Sequence, residues 1–352
     1  RQRLEETLER FGLGALRARS PQTLSGGEQQ KLALAAITAR QPALLILDEP
    51  LSMLDGTAAG ELVHYLGDLA REGSTVVVAE HREEYLRSVP GLEILRLAGP
   101  AVQEAPVPQL ARARLGGTSF ALTVENLSVS LGGRPILDGL SFRAEAGQIV
   151  AVVGRNGVGK TTLLRALAGL QKHEGSVRVD GERPDLGLVF QNADLQLFNA
   201  SVRDEILYRV PEPDEELYRW LVSALGLAPY EETPPLLLSE GEKKRVALAT
   251  VLMRRPRHGL LLDEPSLGQD SAHKAALIRV ARALAAAGQL VILTTHDLTL
   301  AAQADTMALL GPHGFAAWGP PAGVLRDPGP WTGLGLSVPH WVLDAGPYEE
   351  PA

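Results

Sequence analysis

Cysteine is absent from the 352 residues, which excludes disulfides and thiolate metal sites. A cytosolic location is compatible with that absence, as are other compartments. No apolar run reaches the roughly 18 residues that a membrane-spanning helix needs. The most apolar pieces, ALLILDEP and QLVILTTH, have the length of strands and end in polar residues. No basic tract occurs and the formal net charge is −8, which argues against a dedicated nucleic-acid binder. An initiator methionine is missing too. The chain opens on Arg1 with RQRLEETLERFGL, a charged amphipathic helix pattern without a signal-peptide apolar core, so it is expected to start inside something larger.

What is present is ordinary in composition, 45% hydrophobic and 22% charged, and long enough for two domains with full cores. It is also repeated. LSGGEQQKLALAAI (24–37) matches LSEGEKKRVALATV (238–251), LLILDEPLSMLD (44–55) matches GLLLDEPSLGQD (259–270), and VVVAEHR (76–82) matches VILTTHD (291–297). Ser25 and Ser239 are 214 positions apart; Asp48 and Asp263, Asp55 and Asp270, and His81 and His296 are each 215 apart. The second copy has more in front of it, with strands expected in FALTVENLSV and QIVAVVG. By the same offset, about 95 residues of the first copy are expected to be missing, and they would contain its phosphate loop. The expected organisation is a partial first copy (1–97), a linker (98–118), a complete second copy (119–345) and a tail (346–352). Short apolar strands alternating with helical patterns predict an α/β fold with a largely parallel sheet. Residues 312–352 are expected to add terminal strands, a short helix and a tail.

The chemistry is concentrated in the second copy. IVAVVG, GRNGVGKTT and LLRALAGL read as strand, glycine-rich loop and helix, the context that gives G-x-x-x-x-G-K-[ST] its meaning. Gly154, Gly157 and Gly159 let the backbone aim N–H groups at phosphates, and the helix N-terminus adds a favourable dipole. Lys160 is expected to reach the β/γ-phosphates and Thr161 to ligate Mg²⁺. GLLLDE ends an apolar strand in two carboxylates: Asp263 fits an outer Mg²⁺ ligand, and Glu264 a base that polarises the attacking water. Gln191 follows another apolar run. Alone it would read as a surface residue, but its place between loop and acidic strand end makes it a candidate for Mg²⁺ or the water. A lone His296 would read as structural; its counterpart His81 makes it a candidate γ-phosphate contact. Ser25 with Glu28, and Ser239 with Glu242, form S-x-x-E capping boxes. Gly26 and Gly27 cost helix propensity but leave an approachable N-terminus for an anion.

In this order the motifs resemble those of ATP-binding-cassette (ABC) ATPases across nearly the whole chain: Walker A (154–162), Q-loop (Gln191), signature (238–242), Walker B (259–264), D-loop (266–270) and H-loop (His296). The resemblance implies a P-loop NTPase fold, ATP and Mg²⁺, and two cassettes paired head to tail, each ATP lying between one cassette's Walker A and the other's signature. One site would then join Gly154, Asn156, Gly157, Gly159, Lys160, Thr161, Thr162, Gln191, Asp263, Glu264 and His296 to Ser25, Gly26, Gly27 and Asp55. The other would keep Asp48, Glu49, His81, Ser239 and Gly241 without a phosphate loop in this chain. More narrowly, QNADLQLFNASVRDEI, EHR, LSEGEKKRVALA and DEPSLGQD are similar to fused tandem ATPases of energy-coupling-factor (ECF) transporters. That similarity implies uptake of a vitamin or transition-metal ion at the cytoplasmic face of the membrane, through a transmembrane coupling subunit and a membrane substrate-binding subunit. Leu195, Leu197 and Phe198 would contact a coupling helix.

Two positions depart from the family pattern. Leu131 stands where an aromatic usually stacks on adenine, and leucine lacks that stacking. Glu240 replaces the first signature glycine, and its carboxylate would repel a γ-phosphate unless turned away. Other readings fit less well. A soluble tandem ATPase of the translation-factor type resembles DEPTNHLD at the D-loop and carries a long charged inter-domain helix; here the D-loops are LSMLD and SLGQD. A DNA-repair ATPase would need a coiled-coil insertion, whereas only about 77 residues separate Lys160 from Leu238. A non-hydrolysing scaffold is disfavoured by Glu264 and His296.

Overall fold

The computed structural model describes residues 8–9, 11–24, 26–40, 42–51, 54, 56–80, 83–87, 89–95, 119–266 and 271–336. The chain divides into two compact units, Arg1–Ala98 and Gly99–Ala352. Of the amphipathic pattern at the start, Leu8 and Glu9 are helical and most of the remainder lies outside the described residues, as do 96–118 and everything after 336.

In the front unit, helix α1 (Gly26–Thr38) precedes strand β1 (Leu44–Asp48), helix α2 (Gly56–Arg71), strand β2 (Thr75–Ala79) and the single turn α3 (Glu83–Leu86). β1 and β2 pair in parallel from Leu44↔Thr75 to Asp48↔Ala79. Successive strand side chains point to opposite faces. Leu45 and Leu47 therefore enter one core with Phe11, Leu34, Leu51, Leu62 and Leu66, while Ile46 is 68% and Val77 49% exposed on the other face.

The rear unit shows what that second face can do. Its central sheet has the order β11-β10-β5-β9-β8-β7, built from β5 (Ile149–Val153), β7 (Leu186–Val189), β8 (Gly259–Asp263), β9 (Leu290–Thr294), β10 (Thr306–Gly311) and β11 (Gly314–Gly319). All neighbours are parallel except β10 and β11. β5, β8 and β9 are buried at every position, because layers cover both faces. On one side Ala151, Leu260, Leu262, Val291 and Leu293 pack with residues of α5 (Val202–Leu207), α6 (Glu215–Ala224), α7 (Glu240–Met253) and α8 (Ser271–Ala286). On the other, Val150, Val152, Leu261 and Ile292 pack with α4 (Lys160–Leu167) and a three-stranded antiparallel sheet of order β4-β3-β6. That sheet comprises β3 (Ala121–Leu131), β4 (Arg134–Glu145) and β6 (Glu174–Val179). Leu261 and Ile292, the repeat counterparts of Ile46 and Val77, are 0% and 1% exposed. Among the described residues of the front unit no equivalent layer covers that face.

β4 is a strand that the residue pattern does not announce. Gly139, with φ +63°, sits within it, and the β3–β4 register shifts three times, so the alternation that marks a strand is broken. The C-terminal part also differs from the expected single short helix. The one-turn α9 (Leu298–Ala301) follows β9, and after β11 come two helices, α10 (Pro321–Arg326) and α11 (Pro328–Gly333). A proline near the start of each of these two favours helix initiation, and Asp327 both ends α10 and caps α11 through Gly329 N–H at 3.0 Å.

Candidate nucleotide site

β5 runs into the loop at 154, and the loop closes on α4. Two glycines make this turn possible. A Cβ on Gly154 would lie 2.5 Å from the Leu310 carbonyl oxygen of β10. Gly159 has φ +109°, and a Cβ there would meet Leu137 Cδ2 at 2.9 Å and Ile136 Cγ2 at 3.1 Å. The start of β4 is thereby pressed against the first turn of α4, whose first residue is Lys160. Asn156 and Gly157 are exposed in the loop, and Thr161 and Thr162 are partly buried on the helix.

Lys160 is 7% exposed, so its ammonium needs partners. It donates to the carbonyls of Gly154 at 2.9 Å and Arg155 at 3.3 Å. It also lies 3.1 Å from His296 Nε2 and 3.7 Å from Glu264 Oε1. His296 Nε2 is in turn 3.0 Å from Glu264 Oε1, and the His296 backbone N–H donates to Glu264 Oε2 at 3.2 Å. Loop lysine, strand-end carboxylate and H-loop imidazole thus form one buried cluster, drawn from the ends of three adjacent parallel strands. When Nε2 carries no proton it accepts from Lys160; its 3.0 Å approach to Glu264 Oε1 is a close contact without hydrogen-bond geometry.

Backbone and hydroxyls hold the carboxylates. Glu264 has φ +47°, a left-handed conformation costing a non-glycine residue about 1 kcal/mol or more. Its N–H donates to Thr294 O and Thr294 Oγ1, both at 3.1 Å. The Thr294 hydroxyl donates to Asp263 Oδ1 at 2.8 Å, so one side chain on β9 fixes both acids. Burial raises the Asp263 carboxyl above its ordinary range, opposed by the Thr294 and Thr161 hydrogen bonds. Burial pushes Glu264 the same way, but His296, Lys160 and Lys244 outweigh it and hold the carboxyl below its ordinary range. Glu264 therefore stays ionised where it is buried, as a base must.

Thr161 and Asp263 meet beside Lys160. A hydroxyl and a carboxylate are hard oxygen donors, and Mg²⁺ is commonly held by only one or two protein groups, the remainder being substrate and water. The set fits Mg²⁺. Gln191 lies two positions beyond β7, partly buried. Leu131, at the end of β3, is an exposed large apolar residue beside the hairpin that leads to Ile136.

The second signature helix begins as its pattern implies. Ser239 caps α7 in a reciprocal capping box with Glu242, and Gly241 is buried in its first turn. The concern over Glu240 has a structural answer: its Oε1 lies 3.0 Å from Lys243 Nζ, which is 2.9 Å from Asp194 in the segment after Gln191. The carboxylate is thus paired with an ammonium of its own helix.

The front unit carries matching parts. Glu49, after Asp48 at the end of β1, has φ +45°, and its N–H donates to Ala79 O at 2.8 Å, as Glu264 does to Thr294. Gly26 and Gly27 open α1. Ser25, Asp55 and His81 lie outside the described residues, as does Asp270. Sequence reasoning missed Thr294, Lys243 and Lys244. The repeat gives no signal for Thr294, since Ala79 stands at its matched position; the lysines look like an ordinary solvated helix face.

The ABC transporter family matches residues 1–52 and 137–267. YkoD of Bacillus subtilis, named for HMP/thiamine import, is 31% identical over 383 aligned positions, covering 91% of this chain and 70% of that protein. An ABC transporter ATP-binding protein by name from Streptomyces avermitilis is 35% identical over 434, covering 97% and 77%. Among solved structures, cbiO1 from Clostridium perfringens, described as part of the ABC transporter complex cbiONQ, aligns with TM-score 0.53 and 27% identity over 63% of this chain and 96% of that one. Among the described residues no helix is long and apolar enough to cross a membrane. The phosphate loop, the paired strand-end acids and the family match over both parts of the chain together place this protein in the ABC transporter family, as an ATP-binding member with the α/β P-loop fold and an ATPase.

Proposed function

We propose that this chain hydrolyses ATP to drive an ABC importer of the energy-coupling-factor type, in which two fused cassettes close on nucleotide and reopen after hydrolysis. The observation that carries the hydrolytic part is the cluster in which Lys160 Nζ lies 3.7 Å from Glu264 and 3.1 Å from His296. Lys160 and the N–H groups of Gly157, Gly159 and Thr161 bind the phosphates, with Asn156 and Thr162 completing the loop. Glu264 takes the proton of the water that attacks the γ-phosphorus as the bond to the ADP oxygen breaks, and His296 contacts the γ-phosphoryl oxygens. Mg²⁺, held by Thr161, Asp263 and Gln191, would supply charge neutralisation of the phosphates. Ser25, Gly26, Gly27 and Asp55 complete this site. Asp48, Glu49, His81, Ser239 and Gly241 belong to a second one, which has no phosphate loop within residues 1–352. The exposed Ile46 and Val77, against the buried Leu261 and Ile292, support a further layer on the front unit.

Membrane partners are supported by a different feature. Leu195 and Phe198 are 65% and 61% exposed, while Leu197 is in the core. The segment is anchored from below: Glu205 Oε2 accepts the N–H groups of Phe198 at 2.7 Å and Asn199 at 2.8 Å. An apolar surface on a fixed support suits a coupling helix of a transmembrane subunit, a second membrane subunit binding the vitamin or metal ion. The protein would sit peripherally on the cytoplasmic face. The import name of YkoD and the complex containing cbiO1 favour this reading over a ribosomal or nucleic-acid role. The test is to purify the full-length protein from native membranes. Two hydrophobic membrane proteins should accompany it and fall away in Leu195→Asp with Phe198→Asp; ribosomal proteins in their place would sink the transport assignment. Separately, Ser25→Arg with Gly27→Asp should abolish vanadate trapping of nucleotide at the Lys160 site. Survival of trapping there would refute the cross-cassette pairing.

A further inference from the structure

The helix capped by Ser239 makes a contact in its second turn that none of the motifs accounts for. Lys244 is 5% exposed, and its ammonium donates to the backbone carbonyl of Glu264 at 2.7 Å. Glu264 needs such a partner. Its left-handed φ of +47° turns the chain away from β8 just after the strand ends, so its carbonyl leaves the sheet ladder inside the protein, where an unpaired acceptor is costly. β9 holds the N–H side of the residue through Thr294. Lys244 holds the carbonyl side. With both ends of the residue fixed, the Cα–Cβ direction is fixed too, and that direction aims the carboxylate at His296 and Lys160.

The front unit has a related contact at the matching helix position. Gln30, the repeat counterpart of Lys244, donates through Nε2 to Pro50 O at 2.7 Å and Glu49 O at 3.4 Å. Glu49 is likewise left-handed, with φ +45°. One chain thus places a donor at this helix position twice: an ammonium on the Glu264 carbonyl, and an amide whose shorter bond goes one residue further, to the Pro50 carbonyl.

We propose that Lys244 is a positioning residue for hydrolysis: by gripping the Glu264 carbonyl it sets the direction of the hydrolytic carboxylate and ties the signature helix to it. This rests on the reading of Glu264 as the base. A mispositioned base affects the chemical step more than nucleotide binding, and a displacement of about 1 Å can cost on the order of 100-fold in rate.

The experiment compares Lys244→Gln and Lys244→Met in the full-length protein, measuring kcat and KM for ATP, binding of radiolabelled ATP, and thermal melting. Lys244→Met should lose about 10-fold or more in kcat while ATP Kd stays within about 2-fold. Lys244→Gln, copying Gln30, should keep kcat within about 3-fold of the parent. A merely structural lysine would show neither the split between kcat and binding nor rescue by the amide. Combined with Glu264→Gln, Lys244→Met should add little further loss, since a strut has nothing left to aim. Turnover of Lys244→Met within about 2-fold of the parent overturns the proposal. So does Lys244→Gln losing more than about 10-fold with unchanged melting, which remains decisive if the methionine variant does not fold. Failure of the site reading itself is distinguishable: Glu264→Gln alone would then retain turnover.

Discussion

Glu264→Gln is the substitution that most directly measures what the buried cluster does. The change is nearly isosteric, so the left-handed backbone, the Thr294 contacts to its N–H and the Lys244 contact to its carbonyl all persist. The amide oxygen can still accept the His296 N–H now at 3.2 Å. What disappears is one negative charge, held ionised against burial by His296, Lys160 and Lys244. A general base contributes about 10²–10⁴-fold to rate, which at about 1.36 kcal/mol per decade is roughly 3–5 kcal/mol of barrier. Lys160 loses its buried counter-charge 3.7 Å away, so its pull on phosphate should strengthen. The expected result is a fall in steady-state ATPase turnover by about 10²–10⁴, with ATP affinity equal or tighter. Phosphate release and filter binding on the full-length protein measure the two quantities. Unchanged turnover would refute the assignment of Glu264. An equal loss in Kd would show that the carboxylate acts on binding rather than on the water.

Two further expectations concern the frame around the site. Gly259 has φ +145°, and a Cβ there would lie 1.9 Å from the Leu290 carbonyl oxygen; Gly259→Ala should lower unfolding stability by about 2–4 kcal/mol through combined clash and backbone strain, read in urea melts, and a change under about 0.5 kcal/mol would contradict the geometry. His258 Nδ1 accepts the Asp185 N–H at 2.8 Å, and burial, with Arg257 adding to it, lowers the imidazole pKa. The folded state thus resists a proton that the unfolded chain accepts near about pH 6.5. Stability should fall as pH drops through that value and level off below the folded pKa. His258→Asn should flatten this part of the pH–melting curve, and an unaltered curve would remove the residue from the linkage.

Much of the site is legible in the residue order because its parts are local. A glycine-rich loop between an apolar strand and a helix, and an apolar strand ending in Asp-Glu, each state their chemistry within a dozen positions. The repeat offset nominates the front copy's matching residues without any coordinates. Even the parallel α/β class follows from short apolar strands separated by helices. Other features are invisible there because they join distant segments. Thr294 serves both Asp263 and Glu264 only because β8 and β9 are neighbours in parallel register. Glu240 reads as a charge facing phosphate; its partner Lys243 is three residues on in the same helix, and the fold adds only Asp194 on that ammonium.

By itself, then, the sequence nominated the residues for the phosphate, proton and metal chemistry and showed its motifs twice, since these depend on residue type at short spacing and on a constant offset. Only the tertiary structure decided how the chemistry is aimed. The left-handed turns at Glu49 and Glu264, the lysine on the Glu264 carbonyl, and the face of β1 and β2 left exposed among the described residues against its buried counterpart all depend on which strand lies beside which, and which layer covers it.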